Sequence, residues 1–79
     1  MKSIQIYRDA FIEAFTIEES QLDNLKYQDI EEWDSVGHMR LMAILEGAFD
    51  IMIDVDDMID FSSYEKGIEI LAKYDVVIE

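Results

Sequence analysis

Leu41, Met42, Leu45, Ala48, Phe49 and Met52 follow Asp34-Ser35 at steps of one, three or four. That spacing lays them along one side of an α-helix, and the rest of the chain is organised around it. Asp and Ser just before such a run are favoured helix-start residues. Their oxygens accept hydrogen bonds from first-turn amides that have no helical partner. The spacing predicts a helix of roughly 15 residues, from Ser35 to Phe49 or Asp50, with Ser35 exposed at its N-terminus. Gly37 and Gly47 fall inside this helix, each costing about 1 kcal/mol relative to alanine. That cost implies a close approach, or a need for little bulk on the exposed face.

The flanking segments are read the same way. Ile4, Tyr7, Ala10, Phe11, Ala14 and Phe15 form an apolar stripe on a first helix from Ser3, a plausible cap, to Phe15. Thr16 to Trp33 has no sustained period and reads as a long ordered loop with one helical turn, pinned by Leu22, Leu25, Tyr27 and Ile30. Ile51, Ile53 and Val55 alternate with polar or flexible residues as a strand would. With no second strand to pair, they read as a buried extended connector. Val55 to Asp60 reads as one short helical turn. Ser62-Ser63-Tyr64-Glu65 fits a capping box opening a last helix to about Tyr74, with Tyr64, Ile68, Leu71 and Ala72 inward. The expected fold is therefore all-α: a four-helix bundle of three longer helices and one short third helix, with a long first loop, in one domain spanning residues 1–79.

Composition limits what such a domain does. The chain carries 19 Asp and Glu against six Lys and Arg, a net charge of −13, yet 51% of it is hydrophobic. This describes a folded domain with an acidic surface rather than a disordered tail. A phosphate backbone needs cationic contacts, so nucleic acid is an unsuitable partner. Basic protein surfaces are suitable ones. There is no cysteine, and His38 is the single histidine. Thiolate catalysis, disulfides and multi-His or Cys zinc sites are thereby excluded. No apolar run has the length of a membrane span and the first residues do not read as a signal peptide, so a cytoplasmic protein that does not insert into membranes, acting as a monomer, is expected.

Four chemistries suit the notable residues. Ser35 and His38, three apart beside Asp34, could form a nucleophile–base pair. Such a pair also needs an orienting group, an oxyanion hole and a cleft, for which a domain this small has little room. The alternative for His38 is a solvated surface residue. Asp54, Asp56, Asp60, Ser62 and Glu65 fall in the register of a calcium loop. Met58 stands where a ligand is required, however, and Ile59 where the turn demands glycine. Ser35 could be a helix cap and nothing more, in a small acidic adaptor that binds a partner protein. Or its hydroxyl could be an attachment point, since a helix N-terminus favours the phosphate anion that modification creates. Local sequence does not separate the last two.

Trp33-Asp34-Ser35-Val36-Gly37-His38-Met39, followed by Leu41, Leu45-Glu46 and Phe49-Asp50-Ile51, resembles the acyl carrier proteins. The hallmark of that family is Asp-Ser-Leu, here Asp34-Ser35-Val36, with a downstream Leu-x-x-x-Leu-Glu-x-x-Phe pattern. Its helix order, long first loop and short third helix agree with the elements above. The resemblance implies a non-catalytic carrier. A phosphopantetheinyl transferase, using coenzyme A and magnesium, would attach 4′-phosphopantetheine to Ser35 through a phosphodiester. An acyl-loading ligase or acyltransferase would charge the arm's thiol, and a downstream synthase or transferase would receive the cargo. Asp34, Val36, Met39, Arg40, Ala43 and Glu46 would form the partner-docking face. Leu41, Leu45, Ile53, Met58, Phe61, Gly67, Ile68 and Leu71 would line a shelter for the acyl chain. Gly37, Arg40, Gly47 and Ala48 stand where fatty-acid-synthase carriers are often acidic, and a cation at Arg40 would repel a basic partner. The resemblance therefore implies a carrier dedicated to a specialised pathway, with polyketide, nonribosomal-peptide and envelope or sugar acyl transfer as the classes that fit.

Overall fold

Phe11 and Trp33 are fully buried at the centre of a set of aromatic contacts that links the elements. The computed structural model describes residues 1–79. It contains four α-helices and no strand: α1 (Ser3–Phe15), α2 (Ser35–Phe49), α3 (Val55–Asp60) and α4 (Tyr64–Ala72). One 3₁₀ turn, Glu19–Gln21, interrupts the first loop. No helix is long and apolar enough to cross a membrane.

The stripe on α1 is buried at Tyr7, Ala10, Phe11, Ala14 and Phe15, while Ile4 is only half-buried. Phe11 meets Trp33 edge-on at 5.6 Å between centroids, and Phe15 stacks on the same indole at 5.2 Å. Such pairs add to the area they bury. The loop before α2 is thus packed rather than loose, with Leu22, Leu25 and Trp33 all in the core. Arg8 holds its near end, with its guanidinium on Glu19 at 2.7 Å and on the Tyr64 hydroxyl at 2.9 Å. At the far end, Tyr27 N–H donates to Ser62 O and Tyr64 N–H to Leu25 O, stitching the loop to the start of α4. The radius of gyration, 11.2 Å, is close to the roughly 11.6 Å expected of a compact chain this long, as fits a long loop folded onto the helices.

Several local expectations are corrected. Ser3 does not cap α1. It is the first helical residue, and its Oγ donates to Val77 O and accepts from Glu79 N–H, tying the chain's last residues to the start of the helix. The capping box at Ser62–Glu65 is replaced by a single cap, Ser63 Oγ accepting from Lys66 N–H. The reciprocal box forms at Glu18–Gln21 instead. On α4 the inward residues are Tyr64, Gly67, Ile70 and Leu71, with Ala72 exposed. After α2, Ile53 is buried, but Met52 and Val55 point to solvent at 86% and 69% exposure. The chain leaves the helix through Asp50 in the left-handed region, which rotates the following residues off the helical stripe.

Candidate functional site

Asp34 and Ser35 compete for one role, and the backbone decides between them. Asp34 is extended (φ −103°, ψ −169°) and Ser35 is the first residue with helical geometry. A capping side chain must come from the extended residue, so Asp34 takes the task. Its Oδ1 accepts from Gly37 N–H at 2.8 Å, while its carbonyl accepts from His38 N–H. Ser35 is therefore not a cap. Its hydroxyl is exposed and has no protein partner, and the Ser35 and Val36 amides beside it are unpaired.

Gly37 places this turn. It is buried, and a Cβ there would collide with the Glu32 carbonyl oxygen. Only a residue without a side chain lets the helix start lie so close to the loop. Gly47 has nothing within 4 Å of where a Cβ would be, so it answers no packing demand.

His38 is not a solvated residue. It is half-buried, stacked on Trp33, and both ring nitrogens are engaged. Nδ1 accepts from Trp33 Nε1–H at 3.0 Å, which leaves Nε2–H to donate to Met58 O at 2.7 Å. Neither nitrogen is turned to Ser35, so the nucleophile–base pairing has no geometry to act through. The imidazole instead joins the loop, the first turn of α2 and the short α3. The sequence signal for this was the indole N–H five residues earlier, a donor that seeks an acceptor when buried.

Beside Ser35 lies a surface cavity of about 340 Å³. Ser35, His38 and Met39 line it from α2, Tyr27 from the loop, and Ile59, Phe61 and Ser62 from the opposite side. Met39 is 55% exposed and Ile59 74%, so the cavity has an apolar, uncovered rim. On the other flank of Ser35, a groove is bordered by Glu32, Asp34 and Arg40. Its character is mixed, since Ala14, Phe15 and Val36 line it as well.

The residues of the expected shelter are core in this chain, and of the eight Phe61 alone borders the cavity. Leu41, Leu45, Ile53, Gly67 and Leu71 are buried in the closed core, and Met58 and Ile68 are half-buried against it. The expected docking face divides by role. Val36, Met39 and Ala43 are exposed. Asp34 is committed to capping. Arg40 donates to Ala14 O at 3.3 Å, a cation at the C-terminal end of α1, where the helix dipole favours it. Glu46 accepts from Ile53 N–H at 2.8 Å and so holds the connector after α2.

The acids of the calcium-loop register do not converge, and no group of three His, Asp or Glu side chains is assembled that could hold a metal ion. Asp57, outside the expected sites, is the notable carboxylate. It is nearly buried, pairs with Lys73 Nζ and accepts from the Tyr74 hydroxyl. Hydrogen bonds from Lys73 and then Tyr74 hold its carboxyl below the usual range, and the same contacts raise Lys73 and Tyr74. Burial pushes the Tyr7 hydroxyl up, and it donates to Tyr64 O at 2.7 Å. These groups brace the fold rather than form a site.

No protein-family model, curated protein or solved structure matches this chain.

Proposed function

We propose that this protein is an acyl carrier whose attachment point is Ser35. The observation that carries the reading is the division of labour at the start of α2. Asp34 takes the capping hydrogen bond, leaving an exposed serine hydroxyl with no internal partner at the positive end of a 15-residue helix. A serine that were only a cap would be spent on a backbone amide.

The residues present fit a phosphopantetheine group. Ser35 Oγ would form a bond to phosphorus as the pyrophosphate of coenzyme A breaks, with adenosine 3′,5′-bisphosphate leaving and the serine proton passing to the transferase. The unpaired Ser35 and Val36 amides at the N-terminus of α2 would favour the resulting phosphodiester anion. The arm supplies the thiol that this cysteine-free chain lacks. Val36, Met39 and Ala43 remain open for an enzyme to approach, while Glu46 and Arg40 keep α2 in register with its neighbours. The partners on this reading are a phosphopantetheinyl transferase, a loading ligase or acyltransferase, and a downstream synthase or transferase of a specialised pathway.

The test is intact-protein mass after incubation with coenzyme A, magnesium and a broad-specificity phosphopantetheinyl transferase, with Ser35→Ala alongside. A gain of one phosphopantetheine in the wild type and none in the variant is expected. No gain by a folded wild-type protein with several such transferases would leave the exposed Val36, Met39 and Ile59 as the docking patch of an adaptor.

A further inference from the structure

We infer that this chain carries short acyl groups, held in the cavity at Ser35 and kept out of the helical interior by Phe61 and by the anchors of α3. The inference rests on the carrier reading and adds the class of cargo to it.

Size is the first argument. The cavity is small, about 340 Å³, at the low end of the roughly 300–1,000 Å³ of ligand clefts. That suits the thioester end of a turned-back arm with an acyl group of a few carbons. The rim chemistry agrees: Met39 and Ile59 present uncovered apolar surface that such a group would bury. The groove on the other flank also has apolar lining, at Ala14, Phe15 and Val36, but sets it beside Glu32, Asp34 and Arg40.

The floor is the second argument. Phe61 is 1% exposed, and its ring fills the space left by the absent side chain of Gly67; a Cβ there would collide with Phe61 Cζ and the Tyr7 hydroxyl. Leu41, Leu45 and Leu71 are fully buried in the same core cluster. A longer chain reaching them would have to displace Phe61 and the short α3 that leads into it. Two polar anchors oppose that movement, His38 Nε2–H on Met58 O near the cavity and Asp57 on Lys73 and Tyr74. Separating them would strip partners from part-buried polar groups, which is costly.

The experiment loads the wild type with acetyl-, butyryl- and octanoyl-pantetheine from the matching coenzyme A thioesters, each product verified by intact mass. Methyl NMR then reports Met39 and Ile59 at the cavity and Leu41, Leu45 and Leu71 inside. Acetyl and butyryl groups are expected to shift Met39 and Ile59 only. Hydroxylamine should cleave the butyryl thioester several-fold more slowly than free butyryl-pantetheine, and the octanoyl thioester as fast as its free counterpart. Phe61→Leu, with Phe61→Ala as the stronger variant, should slow cleavage of the octanoyl thioester. Octanoyl-induced shifts at Leu41, Leu45 and Leu71 in the wild type would overturn the inference while leaving the carrier reading intact. Failure to load any thioester would overturn both.

Discussion

Gly37 and Gly47 lie on one helix and should answer oppositely to the same substitution. Gly47 faces open space in a helix interior, so Gly47→Ala should stabilise the fold by about 0.5–1 kcal/mol through lower chain entropy in the unfolded state. Gly37→Ala drives a methyl into the Glu32 carbonyl and should cost about 1–3 kcal/mol, as overpacking generally does. Urea melts of the two variants give both signs directly. Equal shifts would mean that the turn before α2 gives way freely. The sequence showed two glycines of equal helical cost. What distinguishes them is the carbonyl that one of them touches, which belongs to a loop with no period to place it. His38 makes the same point. Its spacing from Ser35 offered a nucleophile–base pair, with a solvated residue as the alternative, whereas its bonds to Trp33 and Met58 O depend on where the loop and α3 settle.

At the scale of elements, α3 is the one that cannot stand by itself. Its six residues are far below the length at which an isolated helix is stable in water, so its position depends on Asp57, Lys73, Tyr74 and His38. The pH dependence follows from the directions of the shifts. Asp57 titrates lower in the folded state, so its contribution is complete above the ordinary carboxylate value, about pH 4. It is lost as pH falls through the lowered folded value. Lys73 titrates higher when folded, so its contribution is complete below about pH 10 and is lost as pH rises through the raised value. Asp57→Asn should therefore lower the Tm across the neutral range and flatten the acid limb of a Tm–pH profile. A profile that keeps the wild-type acid limb would show that the anchor does not stabilise. The helices themselves were legible: the apolar spacings placed α1 and α2 at their observed bounds, the short turn read at Val55–Asp60 is α3, and α4 ends at Ala72 rather than near Tyr74. The ends were less so. A serine near a helix start can be a cap or the first helical residue, and a change in one residue's backbone angles separates the two.

Over the whole molecule, charge is the largest unbalanced quantity. A net −13 is distributed over a body of 30 × 28 × 19 Å. In 10 mM salt the screening length is about 30 Å, so every carboxylate repels across the full molecule. In 1 M salt it is about 3 Å, and only adjacent groups interact. Salt should therefore raise the Tm, and relief of about 1 kcal/mol would appear as a rise of roughly 4–8 °C. Magnesium should achieve part of that effect at lower concentration. A Tm indifferent to both would show that the acids are already spaced widely enough to ignore one another.

The sequence by itself determined the helical architecture, the acidic surface and the exposed place of Ser35 at the head of α2, because each follows from local spacing or composition. Only the tertiary structure decided which residue caps that helix, that His38 joins three segments, and that the cavity lies at Ser35 rather than among Leu41, Leu45 and Leu71. The reason is physical. Phe61 closes the interior by occupying the space Gly67 leaves, and that contact exists only once α4 has packed against Tyr7 of α1.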